Sequence, residues 1–502
     1  MVILMTINKG GIFEDSGINR IAAYLLNRGI EVSVESFNME EGIENINIQK
    51  FKLYKYIGFS AYDININFIN NLSEKIKSTF SEKIIFYGSQ YVTLTYESIL
   101  KHDQNVDFLI LGDGEYPLYN YLKLNGKKNQ DQLSETYPHI VTHTNRKNKV
   151  PCFIDISELP WPIHNLELMK KNLYTSIRTS NGCAGDCGFC GFVRRKWSCR
   201  SVINVANEIR NIVKKYNIHS FMIADNSFED PGQLGKERIN HLLDELDKDN
   251  QAYSFFANVR AESFKNNIYD INLLKRMRRI GFSQLFIGIE SGNERDLKFY
   301  NKKATIDENS SVINLFKSLD INPRWGFIML NPYSTKNTLR QNYNFLIKHK
   351  SYTIFHFLSY LMVYKHSIIY SKIKNDRLLN ETNLSEVNYN FVNPYSKAIY
   401  HFIMNNYESD NFRLIVEKIK NEILLYFHLK ALLNIKDDYI LTIFNALYIL
   451  NKDFFSIIYE KFDLTEAENK FHNFKKEVHK IAQRLNNYML KMLKQYYRIY
   501  GF

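Results

Sequence analysis

Three scarcities frame this sequence. Cysteine is rare, with five in 502 residues, and all five fall between Cys152 and Cys199. A disulfide framework would spread paired cysteines through a small secreted domain, so this clustering points to metal or redox chemistry in a large intracellular chain. No run of about 18 apolar residues occurs, which argues against a membrane span. The start MVILMTINKG lacks the basic head, apolar middle and small-residue cleavage site of a signal peptide, and a cytoplasmic location is expected. Massed charge is missing as well. Lys and Arg number 65 against 53 Asp and Glu, a net charge of +12, but the lysines are dispersed and nucleic-acid binding is not expected.

What is present is enough to bury large cores: 45% of residues are hydrophobic and 14% aromatic. A length of 502 residues suits two to four domains. The first third alternates strand and helix patterns: apolar Met1–Ile7, amphipathic Ile18–Arg28 ended by Gly29, then a strand from Glu31. Strands at Tyr56–Ser60, Lys83–Tyr87 and Asp107–Leu111 continue the alternation, with helices Phe68–Thr79 and Thr95–Lys101 between them. That is the signature of a doubly wound parallel sheet, whose ligands bind beyond the strands' carboxyl ends. Gly58, Ser60, Gly88, Ser89 and the loop Gly112-Asp113-Gly114-Glu115 lie at those ends. Glycines there either let a backbone approach a ligand or simply make the turn.

These runs, IGFSAYDININ, FYGSQYVTLTYESIL and VDFLILGDGEYPL, resemble the cobalamin-binding domain that precedes many radical S-adenosylmethionine enzymes. The family's paired glycines, its acidic helix start and its Gly-Glu-Gly-Glu correspond to Gly88-Ser89, Glu97 and Gly112-Asp113-Gly114-Glu115. The resemblance implies cobalamin as a cofactor. The Asp-x-His-x-x-Gly loop that ligates cobalt in other cobalamin proteins is absent between Lys9 and Ile18, as it is in many radical family members.

After a polar stretch from Lys123 to Lys149 comes YTSIRTSNGCAGDCGFCGFVRRKWSCRS. A [4Fe–4S] cluster normally takes four thiolates. The spacing Cys183-x-x-x-Cys187-x-x-Cys190 supplies three on one compact loop, which leaves one iron open, as catalytic zinc keeps a position open. Gly182, Gly185, Gly188 and Gly191 allow tight wrapping and amide donors toward sulfur. A structural zinc site is the alternative, with Cys199 as fourth ligand, but no second C-x-x-C pair follows. The loop closely resembles that of the radical S-adenosylmethionine family. By that resemblance the open iron chelates the methionine moiety, an electron cleaves the sulfonium, a 5′-deoxyadenosyl radical forms, and Phe189 lies against the adenine.

Beyond the loop, strands at Tyr174–Arg178, Ser220–Ala224, Tyr253–Asn258, Gln284–Ile289, Arg324–Leu330 and Ile354–Met362 alternate with helices, giving a partial (β/α)6 TIM-like barrel. By resemblance, Asp225 and Asn226 lie near the methionine end, Arg260 balances its carboxylate, and Glu290 and Ser291 reach the ribose or sulfonium side. For Arg260 a salt bridge to a neighbour is an equal alternative. Ser334 replaces an expected acid, and Lys365-His366-Ser367 replaces a usual Pro-Gly-Thr, so His366 is either a substrate acid or base or merely hydrogen-bonded. Cys152 and Cys199 are either hydrogen-atom donors or inert packing.

From about Asn375 the pattern turns helical: Asn411–Leu433, Tyr439–Leu450 and Thr465–Tyr497, the last opened by a Thr465/Glu468 capping box. This region is expected to pack across the barrel mouth and select the substrate. The domain plan is therefore 1–123 cobalamin-binding-like, 124–170 linker, 171–374 radical barrel and 375–502 helical, an α/β protein throughout its first three parts. The resemblance implies a cobalamin-dependent C-methyltransferase on an unactivated carbon, in which one S-adenosylmethionine supplies the methyl group and a second the radical. The alternatives are a radical dehydratase, rearrangement or cyclisation enzyme, and a non-catalytic iron–sulfur sensor. Expected partners are a small-molecule or peptide substrate and a low-potential donor such as flavodoxin or ferredoxin.

Overall fold

A computed structural model describes residues 1–9, 14–124, 135–172, 174–380, 387–408, 411–435 and 439–500. Most of the run LNGKKNQDQLSET and four residues of the Lys9–Ile18 loop lie outside the described residues. The chain forms two compact units. The first holds Met1–Gly182 and Gly191–Ser201; the second holds Cys183–Cys190 and the described residues from Val202 on.

The first unit is built on strands β1 Val2–Asn8, β2 Val32–Asn38, β3 Tyr56–Ser60, β4 Ile84–Gly88, β5 Phe108–Ile110 and β6 Ile140–Val141. Their order is β2-β1-β3-β4-β5-β6, parallel except for β6, which pairs antiparallel to β5. Alternation sends Ile3, Met5, Ile57, Phe59, Ile85 and Tyr87 to one core, and Val2, Leu4, Tyr56, Phe86 and Phe108 to another. Both faces are buried, which explains the nearly continuous apolar runs. The switch in strand order between β1 and β3 opens the crevice where such sheets bind ligands. Strands β7 Thr175–Ile177, β8 Ser180–Asn181 and β9 Ser198–Cys199 flank the cysteine loop, with β8 and β9 paired antiparallel.

The second unit carries a parallel sheet of β10 Ser220–Ile223, β11 Ser254–Arg260, β12 Phe282–Glu290 and β13 Asn322–Phe327, adjacent in that order. The expected sixth barrel strand is different. Residues Ile354–Leu358 form a short helix, and only Tyr360 makes a parallel bridge, to Leu330. Four of its five side chains, Ile354, His356, Phe357 and Leu358, are buried and Phe355 alone is exposed, which is not the alternation of a half-buried strand.

Of the C-terminal helices Phe412–Leu433, Tyr439–Ser456 and Leu464–Tyr500, the first does not lie across the strands' carboxyl ends. The first packs on β11 and β12 at their opposite, amino ends. Ser254 Oγ meets His428 Nδ1 at 2.7 Å, Ser283 Oγ donates to the Phe427 carbonyl at 2.8 Å, and Gln284 Nε2 donates to the Leu424 carbonyl at 3.0 Å. These three polar strand starts are fully buried and need partners, and the helix supplies them. The long last helix starts earlier than the capping box implied: Asp463, not Thr465, caps it by accepting from the Glu466 amide at 2.8 Å. The segment Tyr439–Lys461 is long and apolar enough to cross a membrane by length and composition. Its Ile440, Ile443, Phe444, Leu447 and Phe455 are buried within the unit, as in a core helix.

Candidate active site

The cysteine loop is held from three sides within the second unit. The Ala184 amide donates to Asp230 Oδ2 at 2.8 Å. The Gly188 amide donates to the Tyr300 carbonyl at 2.8 Å, and the Gly188 carbonyl accepts from the Ile369 amide at 3.1 Å. Asn301 Nδ2 donates to the Asp186 carbonyl at 2.6 Å. The Gly185 amide points at Cys183 Sγ, 3.2 Å away, as expected of a donor to a sulfur ligand. Cys183 is exposed, while Cys187 and Cys190 are half-buried. Burial pushes the Cys187 thiol up, with the nearby Lys302 ammonium opposing the shift. Burial of this kind disfavours a free thiolate, the form a nucleophilic cysteine needs.

Among the described residues, no three His, Cys, Asp or Glu side chains converge on a single ion. Zinc needs such convergence. A cubane does not, because each of its irons takes its own thiolate. The three sulfurs on one braced loop therefore fit a [4Fe–4S] cluster.

Glu290 closes β12 in a left-handed backbone conformation, φ 67°, where the register with β13 slips between Gly288 and Glu290. The slip turns its carboxylate back over two glycines. A Cβ on Gly288 would come within 2.7 Å of Glu290 Oε1 and 3.1 Å of Lys302 Nζ, and one on Gly326 within 3.0 Å of Glu290 Oε2. Burial raises the Glu290 carboxyl above its ordinary range, and Lys302 opposes that. A buried carboxylate in a strained backbone is costly unless a task keeps it there.

The other strand-end residues divide. Ser291 is turned away: it is fully buried, and its hydroxyl donates to Asn342 Oδ1 at 2.8 Å. That side chain braces the start of the next helix instead of reaching toward a cofactor. Asp225 is also buried, 3.7 Å from Arg238 Nη2, whereas Asn226 is half-exposed. Arg260 adopts the salt-bridge alternative, with carboxylates of Asp230, Glu262 and Glu229 at 2.6, 3.3 and 3.5 Å. Phe189 packs edge-on against Tyr300, ring centroids 5.6 Å apart. His366 is exposed beside Tyr364.

At the crevice of the first unit, Ser60 Oγ donates to Asp15 Oδ2 at 2.8 Å, and Ser89 caps the next helix by accepting from the Val92 amide at 3.0 Å. A Cβ at Gly88 would sit in ordinary contact with Ile110, at 3.8 Å, so packing does not force a glycine at this strand end. Gly112 and Gly114 serve the fold instead. A Cβ at Gly112, φ 82°, would strike the Cys152 carbonyl at 2.0 Å, and one at Gly114 would strike Ile21 at 2.8 Å. Glu115, 1% exposed, is locked to Arg20 at 2.7 Å. Asp113 holds Arg195 through both oxygens, at 2.8 and 2.9 Å. Glu97 is exposed on its helix. No histidine precedes His102 in the sequence, so a corrin in this crevice would rest on Ser60, Gly88 and Ser89 without an axial histidine from the first hundred residues.

Two residues escaped the sequence reading. Asp230 anchors both Ala184 and Arg260, and Lys302 Nζ shares with Glu290 the space in front of Gly288, where an added Cβ would come within 3.1 Å of it. The signal for Lys302 was thin. In YNKKAT it reads as one of two solvated lysines, and only the asparagine after a short helix marks the turn that redirects it inward.

Residues 3–122 match the B12 binding domain family and residues 177–346 the Radical SAM superfamily. The 4'-phospho-dehydrooxetanocin synthase of Priestia megaterium is 26% identical over 321 residues, 58% of this chain and 41% of that protein. The hopanoid C-3 methylase of Methylococcus capsulatus is 21% identical, over 61% of this chain and 59% of that one. The chain thus spans about half the length of the curated relatives it matches. Among solved structures, the cobalamin-dependent S-adenosylmethionine radical enzyme OxsB, with aqua-cobalamin and S-adenosylmethionine bound, superposes with a TM-score of 0.74 at 19% identity. That likeness covers 98% of this chain and 80% of OxsB. The radical S-adenosylmethionine methyltransferase TsrM from Kitasatospora setae gives 0.58 at 14% identity, over 75% of each chain. With a B12-binding domain ahead of a radical SAM domain, this chain belongs to the cobalamin-dependent radical SAM enzymes, whose cofactors are a [4Fe–4S] cluster, S-adenosylmethionine and cobalamin.

Proposed function

We propose that the enzyme transfers a methyl group from cobalamin to an unactivated carbon of a small-molecule or peptide substrate. The observation that carries this reading is a B12 binding domain ahead of a radical SAM domain, its β2-β1-β3-β4-β5 sheet complete and its switch point between β1 and β3 intact. When bound, the cluster supplies the electron that cleaves S-adenosylmethionine, and cobalamin supplies a transferable methyl group. The chain's own residues do the rest. Cys183, Cys187 and Cys190 hold the cluster, with Asp230, Tyr300 and Asn301 fixing their loop. Glu290 and Asn226 orient S-adenosylmethionine as acceptor and amide partner, and Phe189 lies against its adenine. Ser60, Gly88 and Ser89 take the corrin edge. A low-potential flavodoxin or ferredoxin in the cytoplasm is the electron source.

A second reading is a radical rearrangement or cyclisation. It is favoured by the likeness to the anaerobic magnesium-protoporphyrin IX monomethyl ester cyclase of Cereibacter sphaeroides, 24% identical over 51% of this chain and 43% of that one. One measurement separates them. Reconstituted anaerobically with iron, sulfide and hydroxocobalamin, and given its substrate, a methyltransferase forms S-adenosylhomocysteine and 5′-deoxyadenosine in equal amounts. Release of 5′-deoxyadenosine without S-adenosylhomocysteine would overturn the methyl-transfer reading. A sensor would form neither. Cys187→Ala is the control, and should form no 5′-deoxyadenosine.

A further inference from the structure

The even dispersal of cations along the chain breaks down in one place. Residues 478–502 hold Lys480, Arg484, Lys491, Lys494 and Arg498 and no Asp or Glu, a local charge of +5 out of +12 for the whole protein. The helix Leu464–Tyr500 sets these five in a row. Its buried side carries Val478, Ile481, Leu485, Met489, Met492 and Tyr496. The cations recur at intervals of three, four and seven on the opposite side, and all five are exposed. The row is roughly 27 Å long.

This face is held in place at its far end. The Tyr500 carbonyl accepts from Asn217 Nδ2 at 2.5 Å, and the Tyr500 ring lies 5.0 Å from that of His219. The charges therefore sit on a packed helix and not on a fraying tail. A face that only keeps a helix in solution mixes both signs, as the helix Gly232–Asp247 does with Glu237, Arg238, Asp244 and Glu245. In the row, Lys480 is paired with Glu477 at 2.6 Å. Among the described residues, Arg484, Lys491, Lys494 and Arg498 have no carboxylate within 4.0 Å. Like charges at helical spacing repel one another, so an anionic partner stabilises the row.

Two apolar side chains narrow the choice of partner. Leu490 and Tyr497, 50% and 40% exposed, stand two turns apart along one edge of the row. A phosphate backbone offers a leucine nothing. A bilayer surface takes both, the leucine at the acyl boundary and the tyrosine at headgroup level. Four to eight basic residues on one amphipathic helix are also what an anionic leaflet attracts.

We propose that this face docks the enzyme peripherally on an anionic phospholipid bilayer. The site needs neither cluster nor corrin, so its test is independent of the reaction.

The purified full chain is co-sedimented with vesicles of phosphatidylcholine alone, and of phosphatidylcholine mixed equally with phosphatidylglycerol. Binding is expected to the mixed vesicles only, and is lost at about 1 M salt, where screening acts within about 3 Å. Arg484→Gln, Lys491→Gln and Lys494→Gln combined should lower the partition coefficient about a hundredfold, each basic residue near the surface contributing roughly a fivefold factor. Should that variant melt below wild type, Lys494→Gln alone is read, for a fall of about fivefold. Leu490→Ser, which keeps every charge, should lower the coefficient as well. Equal binding to both vesicle types, binding to neither, or wild-type partition in the neutralised variant overturns the proposal. An unchanged coefficient in Leu490→Ser, or tighter binding of a DNA duplex than of the mixed vesicles, overturns the bilayer as the occupant.

Discussion

Replacing Gly288 by alanine should separate chemistry from folding. An added Cβ would come within 2.7 Å of Glu290 Oε1 and 3.1 Å of Lys302 Nζ, both far ends of flexible side chains, so they must yield rather than the backbone. Gly288 has no left-handed φ, so alanine adds no backbone strain. The stability cost should stay within about 1 kcal/mol, or a shift of roughly 2–4 °C in melting temperature. Function has no such freedom. On the proposed role of Glu290 as an acceptor for S-adenosylmethionine, moving it off its position forfeits one charged hydrogen bond, about 1.5–3 kcal/mol, which is a roughly 10- to 150-fold fall in rate. The assays are a thermal melt of the reconstituted protein and 5′-deoxyadenosine release under excess reductant. Wild-type release from Gly288→Ala would refute the placement of S-adenosylmethionine at Glu290. A melting temperature lowered by more than 10 °C would refute the packing argument.

Two predictions concern the fold. Arg20→Met strands Glu115, 1% exposed, and should destabilise the first unit by about 3–5 kcal/mol, seen as a lower denaturation midpoint. An unchanged midpoint would free Glu115 for another role. Glu422, on the helix Phe412–Leu433, is pushed up to about 7 by burial, with Lys418 at 3.8 Å opposing only weakly. Its unfolded carboxyl titrates near 4.5, so the folded state holds the extra proton between those values and stability falls as pH rises from 4.5 through 7. Glu422→Gln removes that fall and should be more stable than wild type at pH 8 by about 1–3 kcal/mol, with little gain at pH 4. An equal gain at both values, followed by thermal denaturation, would sink the account.

The alternating strands of the first unit were legible because both faces of its sheet are buried and each run is bounded by a turn. The cysteine spacing was legible because cluster ligation fixes residue type and interval together. What stayed hidden depended on partners distant in sequence. An apolar run such as Ile354–Leu358 reads as strand or helix until it is known that Phe355 is exposed while its neighbours are buried. Arg260 could have faced a cofactor or a neighbour, and only the fold brings Asp230 and Glu262 to it. Gly112 and Gly114 looked like ligand approaches, yet Cys152 and Ile21 fill the space in front of them. A helix stripe says that a face is covered and says nothing of what covers it, which is why the seat of the helix Phe412–Leu433 at the strands' amino ends was not legible.

That last placement bears on how the enzyme can diversify. Because the helix Phe412–Leu433 clasps Ser254, Ser283 and Gln284 at the strands' amino ends, that helix acts as a foundation beneath the barrel, while the stretch before it reaches the loop after β13 through Val392 on Pro332 and Ser396 on Ser334. Robustness and selectivity are thereby lodged in different stretches of gene. Chimeras exchanging the helix Phe412–Leu433 between relatives would trade heat tolerance and keep their substrate preference, and lineages are free to remodel the loops above without disturbing what bears the load.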